Sequence, residues 1–142
     1  MKWPIRCGGI GTTGPGYILD VQHATDKVNS KNGYLTNGAD YAEYFENEEA
    51  TPKGSLVGIN LQTGKVRRYR LGDEFLGIAS NGKGFVGNGD KDIENNPNYT
   101  LVGLLGQLDF NKDEVIAENR RVYAKDRKKI GVLLSNGKVF LK

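Results

Sequence analysis

The sequence predicts a mainly β domain, an antiparallel barrel or sandwich, with one short helix near residues 39–46 and an extended Gly-rich arm at its N-terminal side. Three observations lead there. Glycine takes 20 of 142 positions while proline takes only 4, so the chain turns often without the composition of a disordered polymer. Five Asn-Gly pairs stand at 32–33, 37–38, 81–82, 88–89 and 136–137, and such pairs tolerate positive φ and favour type I′ hairpin turns. Between them lie apolar runs of strand rather than helix length, at the close spacing of an antiparallel sheet.

The elements follow in order. Residues 1–19 carry Gly8, Gly9, Gly11, Gly14 and Gly16 with Pro4 and Pro15, a density that disfavours both helix and a continuous ladder. They read as an extended arm or the end of another module. Residues 17–21 alternate as a strand, the polar stretch 22–32 leads onward, and a boundary falls near Asn32, giving an arm over 1–32 and a domain over 33–142. Residues 39–46 have acids near their start, which suits the positive end of a helix. Residues 56–60 and 66–70 flank a turn at Gln62-Thr63-Gly64-Lys65 and read as a hairpin. Further strands are expected at 75–79, 101–110, 115–117 and 121–124, and the Asn-rich stretch 95–98 is a loop. The chain closes on a hairpin of 130–134 and 139–141 around Ser135-Asn136-Gly137-Lys138. No internal repeat is present.

Charge and composition exclude several classes. Lys and Arg number 20 against 17 Asp and Glu, a formal charge of +3, far short of a chain built to neutralise phosphates, so nucleic acid is not the expected partner. No apolar run reaches the roughly 20 residues that span a bilayer, and Met1-Lys2-Trp3-Pro4 does not open a signal peptide, so no membrane insertion is expected. The single cysteine, Cys7, has no disulfide partner and with the single histidine, His23, makes no zinc set. No metal and no cofactor are expected. Gly8 to Gly14 lacks the Lys-Ser/Thr ending of a phosphate loop.

The chemistry-bearing residues cluster in two places. Asp40, Glu43, Glu46, Glu48 and Glu49 occur without an intervening base. On a helix Asp40 and Glu43 would share a face, and their repulsion could tune one of them as a general acid or base. A solvated acidic surface is the plainer reading. A divalent-cation site is the third, although the Asp/Asn alternation of a calcium loop is missing. Tyr41, Ala42, Tyr44 and Phe45 argue that part of the segment is buried. Arg120, Arg121, Lys125, Arg127, Lys128 and Lys129 form a basic run, read first as a charged outer strand face and second as the answer to the acidic segment, within one chain or across subunits. Cys7 reads as an incidental thiol and His23 as a linker residue. The two glycines of the apolar run from Leu101 to Leu108 suggest strand bends or close backbone approach.

The run Gly38-Ala39-Asp40-Tyr41-Ala42-Glu43-Tyr44-Phe45-Glu46, followed by Val102-Gly103-Leu104-Leu105-Gly106-Gln107-Leu108, resembles the peptidase G2 family, the C-terminal intramolecular chaperone domains of phage neck appendages, tail spikes and tail fibres, many of them self-cleaving. The likeness extends over about residues 34–142, and Pro15 to Val21 looks like the stretch joining a fibre shaft to such a domain. The resemblance implies a homotrimer that holds three chains in register while the shaft folds, or caps it permanently. The partner implied is the shaft of the same protein, with residues 1–32 as its end; a separate reading is a receptor-binding tip, in which loops such as 82–99 touch a host surface receptor. The implied location is the virion, with assembly in the host cytoplasm. It also implies a single-turnover autoprotease cutting beside Asp40 with Glu43 required, so Asp40 and Glu43 are the candidate catalytic residues. Ala39 offers no hydroxyl before Asp40, and Asn47 stands where relatives carry Trp, so self-cleavage is expected to be slow or silent. Chaperone or cap, autoprotease and receptor-binding tip remain three readings.

Overall fold

The computed structural model describes residues 8–14, 17, 19–22, 28, 30–82 and 84–142. Cys7 and His23 lie outside the described residues, as do Pro15, Gly16 and Ile18 of the joining stretch. The chain divides into two units, Met1–Leu35 and Thr36–Lys142.

In the first unit β1 (Gly8–Ile10) pairs in parallel with β2 (Leu19–Val21), and Gln22 N–H donates to the Ile10 carbonyl at 2.8 Å. The glycine-rich stretch was expected to avoid a ladder. It joins one because its glycines admit a neighbouring backbone: at Gly11, with φ +77°, a Cβ would fall 1.8 Å from the Gln22 oxygen.

The second unit is one curled, mostly antiparallel sheet forming a half-barrel. Its strands are β3 (Asp40–Glu46), β4 (Leu56–Ile59), β5 (Val66–Arg68), β6 (Glu74–Ala79), β7 (Phe85–Val86), β8 (Tyr99–Leu108), β9 (Val115–Glu118), β10 (Arg121–Ala124), β11 (Lys129–Leu133) and β12 (Val139–Leu141). The order across the sheet is β5-β4-β6-β8-β12-β11-β10-β9, with β3 on the other side of β8 and β7 on β3. Helix α1 (Lys91–Glu94), capped by the Asp90 carboxylate on Ile93 N–H, and a single 3-10 turn at Lys112–Glu114 are the helical pieces among the described residues.

Most expected strands stand where periodicity put them, and both hairpins form. The helix near 39–46 does not: that segment is strand β3. Seven residues cannot sustain a helix alone, three of them are aromatic and favour strands, and the apolar β8 offers a register from Asp40↔Gly106 to Glu46↔Tyr99. Tertiary pairing outweighs the dipole preference. Nor is 82–99 a plain loop, since it holds β7 and α1.

Adjacent residues divide the core between the two faces of the sheet. Leu56 and Ile78 join Leu108, Val115, Val122, Ala124, Ile130, Val139 and Leu141 on one side. Their neighbours Val57 and Ala79 join Val66 and Val102 on the other, covered by Phe45, Ile59, Leu76 and Leu104. Each large buried side chain contributes about 1.5–3 kcal/mol. The β4-β6-β8 region is therefore apolar on both faces, and β3 is held along its edge.

Candidate functional site

Strand alternation decides what each residue of β3 meets. Asp40 and Ala42 point to one face, Tyr41, Glu43 and Phe45 to the other. Ala42 is 1% exposed and opposite Gly103. The expectation that Asp40 and Glu43 share a helical face is thus overturned: as residues i and i+3 of a strand they stand on opposite faces, about 10 Å apart along it.

Asp40 lies at the start of β3, where the chain enters a cleft of about 420 Å³ lined by Ala39, Asp40, Lys53, Ser80, Gln107 and Lys138 among others. Its Oδ2 accepts a 2.6 Å hydrogen bond from the Ser80 hydroxyl, whose oxygen accepts in turn from Gly82 N–H at 3.1 Å. The Ala39 carbonyl, one half of the Ala39–Asp40 peptide, accepts from Gln107 N–H at 3.0 Å. Three glycines make this approach possible. A Cβ at Gly106, which has φ +107°, would lie 2.1 Å from the Ala39 oxygen; one at Gly84 would lie 2.0 Å from the Asp40 carbonyl oxygen and 2.2 Å from Oδ1; one at Gly103 would lie 3.3 Å from Oδ2.

On the opposite face Glu43 Oε1 accepts a 2.5 Å hydrogen bond from the Tyr41 hydroxyl. That bond, reinforced by partial desolvation and the carboxylate's charge, holds the Tyr41 pKa above the usual phenol value. The Tyr41 ring stacks on Phe85 with centroids 5.8 Å apart, and a Cβ at Gly87 would strike its hydroxyl. Glu43 is therefore a fixed acceptor, part of an aromatic cluster.

The remaining acids are answered by β5 and its neighbours rather than by the basic run. Glu46 pairs with Lys65 at 2.7 Å, Glu48 with Arg67 at 3.3 Å and Glu49 with Arg70 at 2.8 Å. Bonds from the Thr63 hydroxyl and Asn60 amide, with the nearby Arg67, hold the Glu48 carboxyl below its ordinary range. The basic run does decorate strands and turns: Arg127 pairs with Glu118 at 2.9 Å and lies 5.4 Å over the Tyr123 ring, while Arg120 and Lys125 donate to the Leu133 and Val115 carbonyls. Among the described residues no group of three His, Cys, Asp or Glu converges as a metal site.

Ser80 and Gly84 escaped the sequence reading, and Gln107 entered it only as part of the motif from Val102 to Leu108. Ser80 precedes one of the Asn-Gly pairs, which gave its place in a turn and not its partner 40 residues away. The close backbone approach expected of the glycines between Leu101 and Leu108 is found at Gly106, against the Ala39 oxygen, whereas a Cβ at Gly103 would strike the Leu108 side chain, 2.0 Å away.

The fold resembles two solved structures. The C-terminal fragment of bacteriophage phi29 gene product 12 superposes with a TM-score of 0.54 at 19% identity, covering 72% of this chain and 100% of that one. The pre-mature bacteriophage phi29 gene product 12 superposes with a TM-score of 0.63 at 17% identity over 83% of this chain, which spans only 24% of that longer one. At such identities the likeness is one of fold. No curated protein matches the sequence. Residues 18–93, more than half of the chain and including all of β3 and Ser80, match Peptidase_G2, the IMC autoproteolytic cleavage domain, and the chain belongs to that family.

Proposed function

We propose that this chain is the C-terminal trimerisation and intramolecular chaperone domain, or the permanent cap, of a phage appendage, fibre or spike, belonging to the virion. One observation carries the reading beyond family membership: the sheet face bearing Tyr41 also carries Phe85, 53% exposed, and Leu105, 50% exposed, with Leu105 directly opposite Tyr41 in the ladder. A single chain leaves this apolar group in water, and two further copies would cover it. The phage gene product 12 likeness supports the same assignment. Intact mass measured with native mass tests it: the expected result is a trimer of uncut chains at micromolar concentration, and a monomer at that concentration overturns it.

A second reading, single-turnover self-cleavage at Ala39–Asp40, is favoured by the way that peptide is held. Its carbonyl is hydrogen-bonded and the Asp40 carboxylate adjoins it in a solvent-open cleft. Asp40 is the proton acceptor at the bond. Glu43 stands on the other face of β3 and is the second carboxylate of this reading on the strength of the family resemblance. The unmodified chain, with Ala39, is expected to stay intact. Ala39→Ser is expected to release a fragment beginning at Asp40, and adding Glu43→Gln to suppress it, as read by denaturing gels and N-terminal sequencing. No fragment from Ala39→Ser after prolonged incubation removes the reading.

A further inference from the structure

We propose that Ser80 and the Gly106–Gln107 corner of β8 form the cradle of the Ala39–Asp40 peptide, Ser80 positioning the Asp40 carboxylate and Gln107 N–H holding the oxygen on which charge develops. The proposal rests on the self-cleavage reading and assigns residues to it that the paired carboxylates do not supply.

Ser80 is 7% exposed and fixed on both sides of its side chain. Its own N–H donates to the Leu101 carbonyl of β8 at 2.9 Å. Its hydroxyl proton goes to Asp40 Oδ2 and its oxygen accepts from Gly82 N–H. A hydroxyl with its one proton committed to a carboxylate orients that carboxylate. Gly84 closes the other side, where any side chain would overlap Asp40. The carboxylate thus has one defined placement beside its own amide.

The carbonyl is placed as tightly. Gly106 at φ +107° turns the next N–H onto the Ala39 oxygen, and no side chain fits at 106. A backbone N–H aimed at the oxygen of the bond to be cut is a preformed donor for the tetrahedral oxyanion. In the Ala39→Ser parent the added hydroxyl, which Ala39 lacks, holds the attacking water, and the step balances: the water oxygen bonds to the carbonyl carbon of residue 39 and gives a proton to the Asp40 carboxylate, the oxyanion rests on Gln107 N–H, and the C–N bond then breaks as that proton passes to the departing nitrogen. The products are a carboxyl group at residue 39 and an amino terminus at Asp40.

The test takes Ala39→Ser as parent and follows appearance of the Asp40 fragment, with melting temperature alongside. Ser80→Ala is expected to slow cutting roughly a hundredfold, the scale of a misplaced reacting group, and Ser80→Thr to restore most of the rate by returning the hydroxyl. Gly106→Ala is expected to slow it similarly by pushing the Ala39 oxygen off its donor. Parent-like cutting in Ser80→Ala, a Thr variant as slow as the Ala variant, or hydroxylamine trapping of an acyl group on Ser80 overturns the positioning role. Parent-like cutting in Gly106→Ala overturns the donor role. A parent that never cuts removes the self-cleavage reading and the cradle together, whereas a parent that cuts alongside an equally fast Ser80→Ala removes the cradle alone.

Discussion

Glu114 shows what one side chain does for this fold. From the turn before β9 it accepts from the buried Ser55 hydroxyl at 3.0 Å, from Leu56 N–H at 2.8 Å and from the Arg68 guanidinium at 2.5 Å. Burial alone would raise its pKa, but those three donors outweigh it and hold the carboxyl below its ordinary range. Glu114→Ala leaves Ser55 and Leu56 N–H without acceptors at the edge of the core and is expected to cost about 1–3 kcal/mol, measured by chemical denaturation. Asp73, bonded to Arg67 at 2.7 Å, and Asp126, bonded to the Tyr69 hydroxyl at 2.7 Å, are likewise held low. A carboxylate with a depressed folded-state pKa gives stability that is full above its unfolded value and lost as pH falls through the folded one. The melting temperature is therefore expected to hold near neutrality and fall below about pH 4; a flat profile from there to pH 2 would contradict these pairings. At the alkaline end, burial and then the bond to Asp126 push Tyr69 up to about 12, so its contribution disappears as pH rises through that value. The long-range partnerships were not legible in the sequence, because Glu114 meets Leu56 58 residues away and Ser80 meets Asp40 40 residues away. Local spacing carries no trace of such pairs.

At the scale of elements, periodicity was a good guide where a strand's own alternation and its turn agreed. The closing hairpin is the example: β11 and β12 flank a turn with Gly137 at φ +81°, and Leu134 N–H donates to the Lys138 carbonyl at 2.8 Å. The guide failed where pairing decided. β3 was misread because its acids suit a helix start while its partner β8 was out of sight. The turn joining β9 to β10 falls between the two strands expected there, but its positive φ values lie on Asn119 and Arg120, 49° and 63°, with no glycine to mark its type. In the second strand of the closing hairpin Val139 and Leu141 are buried, while Phe140 is 36% exposed. Truncation at Ser135 is expected to remove the burial of Val139 and Leu141, about 1.5–3 kcal/mol each, and to strip β8 of a neighbour. Because β8 also carries Gly106 and Gln107, the loss reaches the Ala39 carbonyl. A truncated chain melting at the full-length temperature would show that β12 is peripheral.

The whole molecule poses the question of what the second apolar face is for. A half-barrel needs one covered interior, and Leu56, Ile78, Val139 and their neighbours supply it. The opposite face is apolar as well, and beyond its own small cluster it continues into Tyr41, Phe85 and Leu105. Such a face lowers the free energy of a solitary chain little and that of an assembly much, since association removes it from water at about 25 cal/mol per Å². Glu43 belongs to the same face and fixes the Tyr41 hydroxyl there, so this one carboxylate of the acidic run supports the surface on which chains would meet. If that surface is the contact of the proposed trimer, Leu105→Lys places a charge in each contact at a desolvation penalty no partner relieves, while costing the single chain little because Leu105 is already half in water. The variant is expected to run as a folded monomer by native mass, with far-ultraviolet circular dichroism unchanged. Its melting temperature is expected to be independent of protein concentration, where that of the parent rises with it because association stabilises only the folded state. A Leu105→Lys chain that remains trimeric would move the contact to another part of the sheet.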